Sequence, residues 1–112
     1  MGRALLMSLM FTMLAVSASA AVYKGQREYV RNCISCHTTG QDFVYSKTSL
    51  EWRKFMAKKG DRLKSLHINS TNPEAKGSDK YFNSKAYEKN TRHLQDFLIE
   101  YAKDSGRIPA CN

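Results

Sequence analysis

Apolar residues recur along this chain at intervals of three and four positions, which is the period of helices that bury one face. The segment 22–31 places Val22, Tyr29 and, just beyond it, Cys33 on one side. No stretch shows the strict alternation that is typical of a strand. The pattern therefore predicts an all-α domain. A second apolar stripe, in the segment 87–103, consists of Leu94, Phe97, Leu98 and Tyr101.

A further helix is predicted between these two segments. Thr48 and Glu51 have the spacing of a capping box, in which each side chain bonds the backbone of the other residue. The helix should run to about Lys59 and stop at Gly60, because glycine readily adopts the left-handed conformation that ends helices. Its apolar face consists of Trp52, Phe55 and Met56.

The rest of the middle region is more polar. A turn or two of helix is expected over 61–66, and a short helix over 80–82. The residues 68–79 between them are rich in Asn, Ser, Thr, Pro and Gly, and this composition predicts a loop.

Gly25 is the unusual residue of the first predicted helix. Glycine inside a helix costs about 1 kcal/mol relative to alanine. We interpret Gly25 as a position where a second backbone approaches closely.

Residues 1–20 have the composition of a secretory leader. Arg3 supplies the positive start, 4–16 is largely apolar, and 18–20 is a small-residue cleavage site. The apolar run is shorter than the ~20 residues that span a bilayer, so we expect removal rather than a membrane anchor. The sequence thus predicts a signal peptide at 1–20, cleaved after about Ala20, and a periplasmic domain at 21–112.

One short motif carries chemistry, and it runs Cys33-Ile34-Ser35-Cys36-His37. C-x-x-C-H is the pattern by which a c-type haem is attached. Each thiol can add to one haem vinyl group, and His37 can then bind the iron from the proximal side. The export signal supports this interpretation, since bacterial apocytochromes receive haem outside the cytoplasm. A domain of this size has a thin core, which one covalent haem c would enlarge.

Two other uses of these cysteines are less well supported. A thioredoxin-like dithiol would follow a strand in a βαβ unit, and the chain has no such pattern. A zinc site would need a second ligand pair with paired spacing, which is missing here. The candidate zinc ligands would be Cys33, Cys36, His67 and Cys111.

At both ends the chain resembles the class I c-type cytochromes. In that family the N-terminal helix ends at the haem motif and crosses the C-terminal helix. The crossing uses a glycine and an aromatic residue, eight and four residues before the first haem cysteine, where this chain has Gly25 and Tyr29. Leu94, Phe97 and Leu98 match the family's leucine–aromatic–aliphatic pattern in the last helix. The segment 41–90 shows no such match.

The resemblance implies a small cytochrome c-like helical fold around one covalently bound haem, with the terminal helices crossing. From the apolar residues themselves we also expect an apolar haem pocket. The residues expected to form this pocket are Tyr29, Trp52, Leu94, Phe97 and Leu98.

The chain departs from the family at the sixth iron ligand. Class I cytochromes commonly place a methionine in the loop before the last helix, whereas the last methionine here is Met56. His67, just before the polar loop, is the preferred distal ligand, Met56 is the alternative, and an open site is the third option. His93 is expected on the surface. A second imidazole would lower the potential relative to methionine and close the iron to small ligands.

The charge balance indicates an acidic partner. The sequence has 18 Lys and Arg against 10 Asp and Glu. A basic face can steer an acidic redox protein or respiratory complex toward a haem. Association with an anionic membrane surface stays open, and nucleic acid is not expected outside the cytoplasm. The cations that crowd one region are Lys47, Arg53, Lys54, Lys58, Lys59, Arg62 and Lys64.

These features together predict a periplasmic electron carrier rather than an enzyme, since the sequence offers no catalytic carboxylate pair, nucleophile–base set or phosphate loop. Two alternatives are a haem-bearing subunit of a periplasmic oxidoreductase and a haem protein that binds a small ligand. Cys111 has no obvious partner and could form a disulfide with another chain.

Overall fold

The computed structural model describes residues 20–109, and within them it contains helices and no strand. The predicted leader up to residue 19 and Cys111 lie outside the described residues. The prediction of an all-α fold is confirmed. The helices are α1 (20–32), α2 (Gly40–Val44), α3 (Ser49–Phe55), α4 (Ala57–Ile68), α5 (Pro73–Lys76), α6 (Asp79–Phe82) and α7 (Lys85–Glu100).

Helices α1 and α7 touch backbone to backbone at Gly25. A Cβ built on Gly25 would lie 1.9 Å from the carbonyl oxygen of His93 and 2.7 Å from Cβ of Phe97. Only a residue without a side chain fits there, so the predicted close approach is confirmed. The ring of Tyr29, one turn further along α1, lies 5.9 Å from the ring of Phe97.

The start of α3 has the predicted capping box. The hydroxyl of Thr48 accepts from the backbone N–H of Glu51, whose carboxylate accepts from the backbone N–H of Thr48 at 2.7 Å. The helix ends at Phe55, earlier than expected, because three residues just after it adopt left-handed backbone conformations. These are Lys58, Lys59 and Gly60, with φ of 52°, 55° and 71°.

Gly60 is the predicted stop, and the chain does turn there. Its carbonyl accepts a hydrogen bond of 2.7 Å from the buried hydroxyl of Tyr87. A Cβ on Gly60 would lie 2.2 Å from that hydroxyl. The chain then continues as the rest of α4 to Ile68, which is longer than the turn or two expected from the sequence.

The core lies among α1, α3 and α7, with α2 closing one side. The indole N–H of Trp52 donates to the Val44 carbonyl at 2.9 Å and so ties α3 to α2. The buried hydrophobic residues that pack together are Tyr29, Val44, Trp52, Met56, Leu94, Phe97, Leu98 and Ala102.

Two short helices were not anticipated. α2 is capped by Thr39, whose hydroxyl accepts from the Asp42 N–H, and α5 begins with the cap Asn72 followed by Pro73. Helices of four or five residues are too short to show a period, so capping residues are their only sequence signal. Among residues 20–109 no helix is long and apolar enough to pass through a bilayer.

Candidate functional site

A large cavity opens between the end of α1 and helices α4, α6 and α7. It contains about 930 Å³ of atom-free space, its open mouth included. Most of its wall is aromatic or aliphatic. These wall residues are Tyr29, Phe43, Trp52, Leu63, Ala75, Tyr81, Phe82, Leu94 and Leu98.

The C-x-x-C-H motif, residues 33–37, forms a tight turn after α1. The Cys33 N–H donates to the Tyr29 carbonyl at 2.8 Å and so extends the helix, while the His37 N–H donates back to the Cys33 carbonyl at 2.9 Å. The Tyr29 hydroxyl donates to the Thr38 carbonyl at 2.5 Å, beyond the motif. Tyr29 therefore holds both ends of the turn, and the turn places Cys33, Cys36 and His37 on the cavity wall.

Both cysteines are free thiols. Cys36 is exposed and Cys33 is half-buried. Burial, together with the nearby charge of Glu28, raises the pKa of Cys33 to about 12. At neutral pH Cys33 therefore stays protonated in the haem-free protein.

His37 and His67 face each other across the cavity. Their ring centroids lie 6.1 Å apart and the ring planes cross at 73°. First-row metal ions bind imidazole nitrogen at about 2 Å, so two imidazoles on opposite sides of one ion would have centroids roughly 6 Å apart. Partial desolvation, with His67 as a second cause, lowers the pKa of His37. The neutral imidazole that a metal requires is thus the favoured form.

The ring of His67 is held from two sides. Its Nδ1 lies 2.7 Å from the carbonyl oxygen of Leu63, one turn earlier in α4. Because a carbonyl can only accept, Nδ1 carries the proton, and Nε2 keeps its lone pair for a ligand. The ring also stacks on Phe82, with centroids 4.4 Å apart and planes at 29°. These contacts hold the ring of His67 in place on the cavity wall.

The alternative distal ligand, Met56, lies elsewhere. It is 1% exposed, packs in the hydrophobic core and is not part of the cavity wall. Phe97, expected in the pocket, also lies outside the wall and packs at the crossing of α1 and α7. His93, expected on the surface, is half-buried: its backbone meets Gly25, and its Nδ1 is buried without a hydrogen-bond partner among the described residues.

Several cavity residues were missed from the sequence. Phe43 and Phe82 belong to the short helices α2 and α6, and each ring lies against one of the facing histidines, Phe43 being 4.5 Å from His37. Leu63 was left out because the one or two helical turns expected over 61–66 are too short to show which face is buried. The signal that could have found Phe43 and Phe82 is their aromatic character in otherwise polar segments.

A polar contact lies at one edge of the cavity. The Tyr81 hydroxyl, also missed from the sequence, donates to the Glu28 carboxylate at 2.7 Å, and the Asn32 amide donates to it at 3.3 Å. Glu28 is only 7% exposed. Burial and this hydrogen bond raise the pKa of Tyr81, so that it remains a donor at neutral pH. The two donors satisfy a carboxylate that would otherwise be costly to bury.

The residues that line the cavity include two cysteines and two histidines. Among residues 20–109 no three His, Cys, Asp or Glu side chains cluster as a metal site would require. A haem needs only axial ligands and cysteine attachment points from the protein, and these are the residues that line the cavity.

Neither a family model, nor a curated protein, nor a solved structure was found to match this chain.

Proposed function

We propose that this protein is a monohaem c-type cytochrome, which carries single electrons between redox partners in the periplasm. The observation that carries the proposal is the convergence of four residues on one apolar cavity: both thiols and both facing imidazoles. The secretory pattern of residues 1–20 and the absence of a catalytic constellation in the sequence support a carrier rather than an enzyme.

The roles of the residues follow from their positions. Cys33 and Cys36 would hold the haem covalently, and His37 and His67 would bind its iron. The bound haem supplies reversible one-electron chemistry. Trp52, with Leu94 and Leu98 and the rest of the apolar wall, restricts water and so tunes the potential.

In this proposal His67 binds the iron with a ring whose orientation is fixed by its neighbours. Its hydrogen bond to Leu63 and its stacking on Phe82 fix the ring in one orientation. A ligand that does not reorient between oxidation states keeps the structural change on electron transfer small. Two imidazoles also leave the iron without an open position for external ligands.

Haem attachment is tested on the mature protein, which is obtained by exporting the full chain with its own leader. We expect a red protein whose pigment stays with the polypeptide in acidified organic solvent. A colourless product, or pigment that extracts freely, would contradict the proposal. Replacing both Cys33 and Cys36 by serine should leave at most extractable pigment.

The distal ligand is tested by absorption and low-temperature electron paramagnetic resonance of wild type and His67→Ala. Wild type should be low-spin and, when reduced, should not bind CO rapidly. His67→Ala should become high-spin and bind CO, because an axial position opens. An unchanged low-spin signal in His67→Ala would show that another residue binds the iron. Rapid CO binding by wild type would instead favour a ligand-binding haem protein.

A further inference from the structure

Two adjoining concave surfaces, which share Lys59 and Glu88, lie between the left-handed turn at the start of α4 and the first half of α7. We name the two together the basic groove. Its acidic members are Asp61 and Glu88. The cations of the groove outnumber these acidic residues. They are Lys58, Lys59, Lys64, Lys85, Lys89 and Arg92.

The groove joins two parts of the chain that are far apart in sequence. Lys58, Lys59 and Lys64 belong to the basic region recognised in the sequence, whereas Lys85, Lys89 and Arg92 follow one face of α7 at helical spacing. Packing of α4 against α7 brings the two sets together. The positive charge is therefore concentrated in one place by the tertiary structure.

The cations of the basic groove outnumber its two carboxylates, and among residues 20–109 none of these cations forms an ion pair of 4 Å or less. In the part of the chain that the structure describes, the ion pairs are Lys76–Asp79 and Arg107–Glu100, and neither involves the groove. Unpaired charges of one sign in a concave surface reinforce each other and attract an oppositely charged partner.

Backbone strain is concentrated at the same place. Lys58 and Lys59 both have positive φ, which is costly for residues with a Cβ. The conformation is maintained by the buried hydrogen bond from Tyr87 to the Gly60 carbonyl. Strained residues that the surrounding structure holds in place are concentrated at functional sites, and here the strain places two adjacent lysines in the groove.

The groove and the candidate haem cavity share a wall. Phe82 lines both, and inside the cavity its ring stacks on His67. A partner seated in the groove would therefore be separated from the distal histidine by one aromatic ring.

We propose that the basic groove is the docking site of an acidic redox protein, which exchanges electrons on the side of His67 and Phe82. This inference rests on the proposed cytochrome function. In one exchange the partner is oxidised by one electron and the haem iron is reduced by one, with no bond formed or broken. A protein fits better than a membrane, since a convex acidic surface can enter a groove between two helices whereas a bilayer is flat.

The test uses a plant-type [2Fe–2S] ferredoxin as an acidic one-electron probe. A groove variant carries Lys59→Gln, Lys85→Gln and Lys89→Gln. A control variant with the same charge change carries Lys24→Gln, Arg27→Gln and Lys103→Gln. All six side chains are exposed, so both variants should fold, and circular dichroism checks this.

Two readouts are taken at low ionic strength: association with immobilised ferredoxin, and the second-order rate of haem reduction by reduced ferredoxin. The groove variant should lose about tenfold in both, and the control variant less than twofold. High salt should abolish the difference, because it screens the charges. If both variants weaken equally, or neither does, the groove is not the docking site.

The outcomes separate this proposal from the cytochrome assignment. Covalent haem is measured on every sample, and its absence overturns the proposed function. In that case the association with ferredoxin still tests whether the groove is a docking site. Vesicles of phosphatidylglycerol form the third arm. Vesicle binding that depends on the groove lysines, without any groove effect on ferredoxin association, would assign the groove to a membrane surface and overturn the proposal.

Discussion

Gly25 of α1 lies directly against the backbone carbonyl of His93 in α7, so close that a methyl group added to Gly25 would be 1.9 Å from that oxygen. This contact sets the position of the end of α1 relative to α7. Cys33 directly follows α1, and α7 carries Leu94 and Leu98, which line the same cavity. The crossing thus determines how the C-x-x-C-H motif faces the apolar wall.

Gly25→Ala should destabilise the protein. Alanine favours a helix by about 1 kcal/mol over glycine, but its methyl group would force two backbones apart, and overpacking of this kind costs typically about 1–3 kcal/mol or more. Because the clash is with backbone atoms, we take the upper end of that cost, about 3 kcal/mol, and expect a net loss of about 2 kcal/mol in the free energy of unfolding by urea.

Gly77→Ala is the control, because a Cβ there would lie 3.3 Å from the Glu74 carbonyl oxygen, a contact that a shift of a few tenths of an ångström relieves. It should change the urea midpoint much less than Gly25→Ala does. Equal midpoints for the two variants would mean that the helices do not approach as closely as described.

Met56 should matter for stability and not for the iron. Met56→Ala removes a fully buried side chain and should cost about 2–5 kcal/mol, while Met56→Leu conserves volume and should cost less than about 1.5 kcal/mol. Thermal unfolding measures both. In Met56→Leu the low-spin resonance should match that of wild type, and a change of spin state would reassign the distal ligand.

The two haem cysteines should differ in reactivity in the haem-free protein. Cys33 is half-buried with its pKa raised to about 12, so it holds almost no thiolate at pH 8, whereas Cys36 is exposed. Iodoacetamide should therefore label Cys36 much faster than Cys33, as followed by peptide mass spectrometry.

The control for this labelling is the same protein in urea, where both thiols should react at similar rates. Cys111 is replaced by serine throughout, so that only the motif is labelled. Faster labelling of Cys33 in the folded state would contradict the described burial.

The contact between Asp104 and Ser49 should make stability depend on acid pH. The backbone N–H and the hydroxyl of Ser49 donate to the Asp104 carboxylate at 2.8 and 2.9 Å and lower its pKa below the ordinary value of 3.8. A group with a depressed pKa in the folded state stabilises the fold above its unfolded pKa, and this contribution is lost as the pH falls through the folded pKa.

Wild type should therefore lose more stability between about pH 4 and pH 2 than Asp104→Asn, which cannot titrate. Urea midpoints measured across that range test the difference. Parallel curves for the two proteins would show that the hydrogen bonds do not shift the titration of Asp104.

Local sequence signals determined the fold class, several helix ends and the C-x-x-C-H motif of this protein. The period of three and four predicted the all-α class, and the capping box at Thr48 and the stop at Gly60 were both readable. Gly25 signalled a close backbone contact by being costly in a helix. The haem motif is contiguous, so its spacing was complete in the sequence. These features depend on residues within a few positions of each other, and such patterns are visible in one dimension.

Tertiary structure decided the rest, because those features depend on residues far apart in the chain. The sequence favoured His67 over Met56 as the distal ligand. Only the packing of the helices shows that the ring of His67 lies opposite His37 and that Met56 is buried in the core. The rings of Phe43 and Phe82 reached the cavity from helices too short to show a period. The basic groove arose only where α4 packs on α7. Which side chains meet depends on how helices pack, and no local pattern records that.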